Sequence, residues 1–110
     1  MKITTRDTHD IKVVMFEGEL DTLAAPEAKK ELNKLRAQGV KKIILDLDRL
    51  EFISSSGLRV LLATAQDLND ASGELRVCNL NETVQEVFDI SGFSTLLAVF
   101  PSVAEAIRDF

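Results

Sequence analysis

The segment Leu45–Leu62, LDLDRLEFISSSGLRVLL, constrains this chain more than any other. The run leading into it, residues 41–47 (KKIILDL), reads as a strand whose middle is apolar on both faces, as parallel strands usually are. Downstream, Gly57–Asp70 reads as a helix. Leu58, Leu61, Leu62, Ala65 and Leu68 recur at helical spacing, while Arg59, Gln66, Asp67 and Asp70 fall on the wet side. A buried strand feeding an amphipathic helix is half of a β-α-β crossover and requires neighbouring strands to pair with. Between the two lie Ser54, Ser55 and Ser56, followed by Gly57, which allows close approach to the site.

The remaining elements supply those neighbours. Residues 2–7 (KITTRD) predict a first strand, turning at Thr8–Asp10, and residues 11–17 (IKVVMFE) a stronger, β-branched one. Gly18 and the GELD segment turn the chain. Ala24–Ala37 predicts a helix with Ala24, Ala28, Leu32 and Leu35 on one face, Pro26 in its first turn and Gly39 at its stop. Leu75–Asn79 is a fourth strand. Asn81 caps a short helix through Phe88, with Glu82 favourable in the first turn, and Ser91-Gly92 turns the chain. Leu97–Phe100 is a last short strand, and Ser102 with Glu105 makes a capping box for a terminal helix. The order β-β-α-β-α-β-α-(β)-α predicts an α/β fold. Its mixed four- to five-stranded sheet has an N-terminal antiparallel hairpin, and about four helices pack mainly on one side. All of it forms one domain over residues 1–110.

Composition narrows the function. The 110 residues carry a net charge of -5, which argues against nucleic acid and against docking to an anionic membrane, since both rely on Lys/Arg clusters. The N-terminus MKITTRDTHD is too polar for a signal peptide, no apolar run nears the ~20 residues of a membrane span, and a lone cysteine suits a reducing compartment. A cytoplasmic location is expected. Conventional enzyme sites are hard to find. His9 is the only histidine and sits in a turn, no Cys/His spacing suggests a metal, and neither GxGxxG nor GxxxxGK[ST] occurs. No cofactor is expected. Cys78 reads as a small buried strand residue. Asp46 and Asp48 share a strand face and are of a type that holds Mg²⁺, but no third ligand is evident. They read better as a wet strand end or the cap of the following turn. Lys41-Lys42 reads as the solvated start of a strand.

The serines remain. A helix start needs a hydroxyl or carboxylate cap, and one serine can serve that role. An additional hydroxyl there is exposed and faces free N–H groups at the positive end of the helix, a setting that tolerates a phosphate. Phosphorylation would add about -1.5 to -2 charges to a local surface and disturb a docked partner. A covalent catalytic serine fits less well, because no base lies nearby in the sequence.

At these residues the chain resembles the STAS family, specifically the bacterial anti-sigma factor antagonists. Glu17-Gly18-Glu19-Leu20-Asp21 is similar to the family's GELD-type turn. Ile43–Leu47 with Phe52-Ile53-Ser54-Ser55-Ser56-Gly57-Leu58 resembles its strand, phosphorylation loop and helix, and Val84–Phe100 (VQEVFDISGFSTLLAVF) its C-terminal half. The resemblance implies a binding protein, not an enzyme. The unphosphorylated form binds an anti-sigma factor that is also an ATP-dependent serine kinase, which frees the sigma factor. Phosphorylation releases the antagonist, and a PP2C-type phosphatase resets it. The family's acceptor follows an aspartate in Asp-Ser-[Ser/Thr]-Gly. Carried over, the acceptor is Ser55, with Ser54 second, and Ser54 stands where the aspartate belongs. That departure removes a carboxylate and adds a competing hydroxyl. Ser56 then reads as the helix cap. The implied partner surface is Ser54, Ser55, Ser56 and Gly57, with Asp21, Thr22 and Arg59 at its rim. A monomer is the default expectation.

Three other readings compete. A constitutive STAS subunit of a transport or signalling complex keeps the fold without a phosphoswitch. An aspartate-phosphorylated receiver would begin β-α with paired acidic residues, whereas this chain begins with a hairpin. A serine hydrolase would have only His9 as a conventional base.

Overall fold

A computed structural model describes residues 1–110. Two strands, β1 (Lys2–Thr8) and β2 (Ile11–Leu20), form the antiparallel hairpin, in register from Lys2 opposite Glu17 to Thr8 opposite Ile11. The other strands are β3 (Lys42–Asp46), β4 (Leu50–Ile53), β5 (Glu74–Cys78) and β6 (Ala98–Phe100). The main sheet runs β1-β2-β3-β5-β6, and every pairing after the hairpin is parallel. Strand β4 lies off this path and pairs in parallel with the far end of β2. The helices are α1 (Ala25–Ala37), α2 (Ser55–Asp70), α3 (Glu82–Ser91) and α4 (Val103–Ile107).

Strand alternation divides the apolar residues between two cores, because successive side chains point to opposite faces. Val14, Ile43 and Val77 join the large core of 20 buried residues, which also takes in Leu32 of α1, Leu61 of α2 and Phe88 of α3. Their neighbours Val13, Ile44 and Cys78 face the other way into a small core of five, closed by Ala106 of α4. Helix α4 has only five residues, so packing and side-chain ties must hold it rather than its own hydrogen bonds. Arg76 does much of this. Its Nη1 donates to the carbonyls of Ala106 and Arg108 at 2.9 and 3.0 Å, and its guanidinium lies 4.2 Å from the Phe110 ring centre and 5.1 Å from that of Phe100. Lys42 adds a bond to the Phe110 carbonyl and an ion pair with Asp10 at 3.1 Å, and its hydrogen bond holds the Asp10 carboxyl below the usual range.

The structure corrects several expectations. The sheet has six strands instead of four or five, because Leu50–Ile53, read as part of a loop, is a strand. Its four residues are buried only at the two ends, so neither alternation nor a continuous apolar run marks it. The GELD segment is less a turn than the end of β2. The strand continues to Leu20 through a register shift between Gly18 and Glu19, where Gly18 adopts φ 108°, a conformation that favours glycine. Helix α2 begins at Ser55, two residues before Gly57. Its buried face includes Thr64, whose hydroxyl donates to the Val60 carbonyl at 2.8 Å, while Leu62 and Ala65 are only half-buried. Asp46 is buried and not wet. Lys42 is tied to Asp10 and the C-terminus instead of standing free at a strand start.

Candidate partner-binding site

Every polar backbone and side-chain group of Ser54 is engaged. Its N–H donates to the Leu20 carbonyl at 2.9 Å, its carbonyl accepts from the N–H of Leu58 at 2.9 Å, and its Oγ accepts from the N–H of Gly57 at 3.1 Å. With φ -88° and ψ 171°, Ser54 has the extended backbone of an N-cap. Ser54 is therefore the cap, a correction to the expectation that Ser56 would be. The bond from β4 to Leu20 fixes Ser54 in that extended state, so the helix starts one residue later. Ser55 becomes the first helical residue. It is exposed, and no side-chain hydrogen bond engages its hydroxyl. Ser56 is half-buried.

Gly57 is the steric hinge of this arrangement. A Cβ there would stand 2.7 Å from both Leu20 Cγ and the Leu20 carbonyl oxygen, and 3.0 Å from Ile53 Cγ1. The end of β2 and the start of α2 thus touch through Leu20, and the next residue, Asp21, begins the turn into α1. Asp21 Oδ1 accepts from the N–H of Ala24 at 2.9 Å, and its carbonyl accepts from that of Ala25 at the same distance. Asp21 is half-buried and largely committed to this turn, whereas Thr22 is exposed. Leu20 thus sets Asp21, its chain neighbour, next to Ser54–Gly57, with the exposed Thr22 one residue further along the turn. Arg59 lies one turn along α2 from Ser55, exposed and without an ion pair, on a groove shared with Lys29 and Asn33 of α1.

Two residues of this end are not among those the sequence assigns to a partner surface. Leu23 is 90% exposed beside Thr22, and Phe52 is 42% exposed two residues before Ser54. Leu23 lies outside the apolar stripe of α1, which is the one signal that it faces solvent. Phe52 gives none, because the four residues of β4 carry no alternation that would mark its faces.

The electrostatics suit an anion. The first turn of α2 holds no acidic residue, and the N–H groups of Ser55 and Ser56 have no partner. Elsewhere, polar groups are committed to structure. Asp46 Oδ1 accepts from the N–H of Asp48 at 3.2 Å and from Asn79 Nδ2 at 3.0 Å, so it caps the turn. No three His, Cys, Asp or Glu side chains gather as metal ligands would. Burial, reinforced by the charges of Asp46 and Asp48, pushes the Cys78 thiol up to about 12. His9 is exposed in the β1–β2 turn with φ 57°.

A sheet opened by an antiparallel hairpin, continued by parallel crossovers and ending at a serine-capped helix defines a class. Residues 2–106 match the STAS domain, and the chain belongs to that family. It is 39% identical over 101 residues to BtrV of Bordetella bronchiseptica, a candidate anti-sigma factor antagonist by name, with 92% of this chain and 84% of that one covered. Its fold is that of a candidate anti-sigma factor antagonist from Thermotoga maritima, with a TM-score of 0.92, 22% identity, and 97% and 92% of the two chains covered. The Bacillus cell fate determinant SpoIIAA in its phosphorylated form matches with a TM-score of 0.74 and 27% identity, over 96% of each chain. No helix of the chain is long and apolar enough to cross a membrane.

Proposed function

We propose that this chain is an anti-sigma factor antagonist that works by binding and not by catalysis. Its unphosphorylated Ser54–Gly57 end docks on an anti-sigma factor serine kinase in the cytoplasm and thereby frees a sigma factor. The observation that carries this reading is the division of labour among the serines. Ser54 is spent on the helix cap, and Ser55 presents an unengaged hydroxyl to solvent at the first helical position. The name of the 39% identical relative supplies the class of partner, an anti-sigma factor.

The switch works as follows. The kinase transfers the γ-phosphoryl group of ATP to Ser55 Oγ. An O–P bond forms, the bond to ADP breaks, and the hydroxyl proton leaves with the kinase's base. The phosphate meets unpaired N–H groups and the positive end of α2, so the fold tolerates it. On the docking surface the same charge repels or sterically blocks the partner. A PP2C-type phosphatase hydrolyses the ester and restores the hydroxyl. The exposed Thr22 and Leu23 and the half-buried Asp21 rim this end, and Phe52 extends its apolar part.

The test is binding to the cognate anti-sigma factor by titration calorimetry. Ser55→Asp should weaken binding at least ~10-fold, about 1.4 kcal/mol. Ser55→Ala should bind normally and resist phosphorylation by kinase and ATP. Equal affinity of Ser55→Asp and wild type removes the switch.

A further inference from the structure

The arginine one turn from Ser55 has no partner of its own. On α2 the positions three and four away from Arg59 are Ser55, Ser56, Leu62 and Ala63, none of them acidic. The charged residues that share its groove are Lys29 of α1 and Asp67, eight positions further along α2 itself. Asp67 is already paired with Arg36 at 3.2 Å. Asp21, the carboxylate of the adjoining turn, is held by the N–H of Ala24. Arg59 is thus an exposed cation with no local counter-charge at the edge of the docking end.

Its position relative to Ser55 is the favourable one for an ion pair. Residues four apart on a helix have Cβ atoms about 5–6 Å apart, and helical side chains lean toward the N-terminus. The long side chain of Arg59 can therefore reach back to position 55, in the order (anion first, cation second) that stabilises such pairs. A guanidinium can grip a phosphate through two parallel N–H bonds.

We propose that Arg59 is the second half of the switch. In the unmodified chain its guanidinium takes a carboxylate of the partner, and a phosphate on Ser55 captures it within the helix. Phosphorylation then acts twice, by adding negative charge and by withdrawing the cation the partner needs. This inference rests on Ser55 as the phosphoacceptor.

The test uses the full chain with phosphoserine placed at position 55 by genetic encoding, so that it does not depend on a kinase. The second ionisation of the phosphate is followed by phosphorus NMR across pH 4–8, bracketing its ordinary pKa of about 6. Arg59→Gln should raise that pKa by about 0.3 units, the size of an exposed pair four residues apart, and Arg59→Lys should restore part of the shift. Lys29→Gln serves as the control for the neighbouring cation. In the unmodified chain, Arg59→Gln should weaken binding to the cognate anti-sigma factor about 3-fold. A pKa unchanged by Arg59→Gln, a shift that follows Lys29→Gln alone, or wild-type binding by unmodified Arg59→Gln overturns the proposal. If cells phosphorylate Ser55 but the titration is flat, only this inference fails. If cells never phosphorylate Ser55, the proposed switch fails while the pairing can still be seen in the encoded protein.

Discussion

Two arginines show how differently the two ends of this molecule are built. Arg76, in β5, is enclosed by its own chain. Three C-terminal carbonyls accept from its guanidinium, two phenylalanine rings flank it, and Glu74 pairs with its Nε at 2.9 Å. Arg59, in α2, has no such partner. A fully occupied guanidinium has no donors left for another protein and serves to fasten α4 over the small core. An unoccupied one at the rim of an exposed helix start serves recognition, where charges set association rate and partner choice. The chemical group is the same, and the surroundings decide whether it is structure or interface.

This contrast can be broken at several points. The largest expected effect is Arg76→Ala, which should cost about 3 kcal/mol in urea unfolding by orphaning the carbonyls and removing both ring contacts, with partner affinity unchanged. A stability within error of wild type would mean that α4 is held by its apolar contacts alone. Phe110→Ala should cost about 1 to 2 kcal/mol in the same assay, and an unchanged midpoint would show that the ring adds nothing to the arginine's hold. At the other end, Ser54→Ala should cost about 1 kcal/mol through the lost cap, and Ser56→Ala less than about 0.5 kcal/mol. The reverse ranking would return the cap to Ser56. Smallest of all, Arg59→Ala should shift stability by less than about 0.5 kcal/mol while weakening the partner complex. A large loss of stability would make Arg59 a structural residue and erase the contrast.

Much of this was legible in the chain. The apolar stripe Ala28, Leu32, Leu35 announced α1, and the capping residues Asn81 and Ser102 both do what their spacing implies. They accept from the N–H of Val84 at 2.8 Å and of Glu105 at 3.2 Å. Such signals are local: a helix face or a cap is specified within a few residues. The failures share the opposite property. Strand β4 exists because β2 offers it a paired edge beyond Gly18, and the cap falls on Ser54 because the Leu20 carbonyl, 34 positions earlier in the sequence, holds its N–H. Three adjacent serines look alike until a distant backbone group selects one of them.

Periodicity and capping chemistry by themselves determined the alternation of strands and helices outside β4, the hairpin that opens the sheet, and the presence of hydroxyls at the start of α2. Only the tertiary structure decided which hydroxyl is consumed and which is free, that Asp46 is a buried turn cap, that Leu23 and Phe52 face solvent, and which arginine has partners. Hydrogen-bond satisfaction and burial are properties of what the fold brings together, and a residue's neighbours in sequence do not specify them.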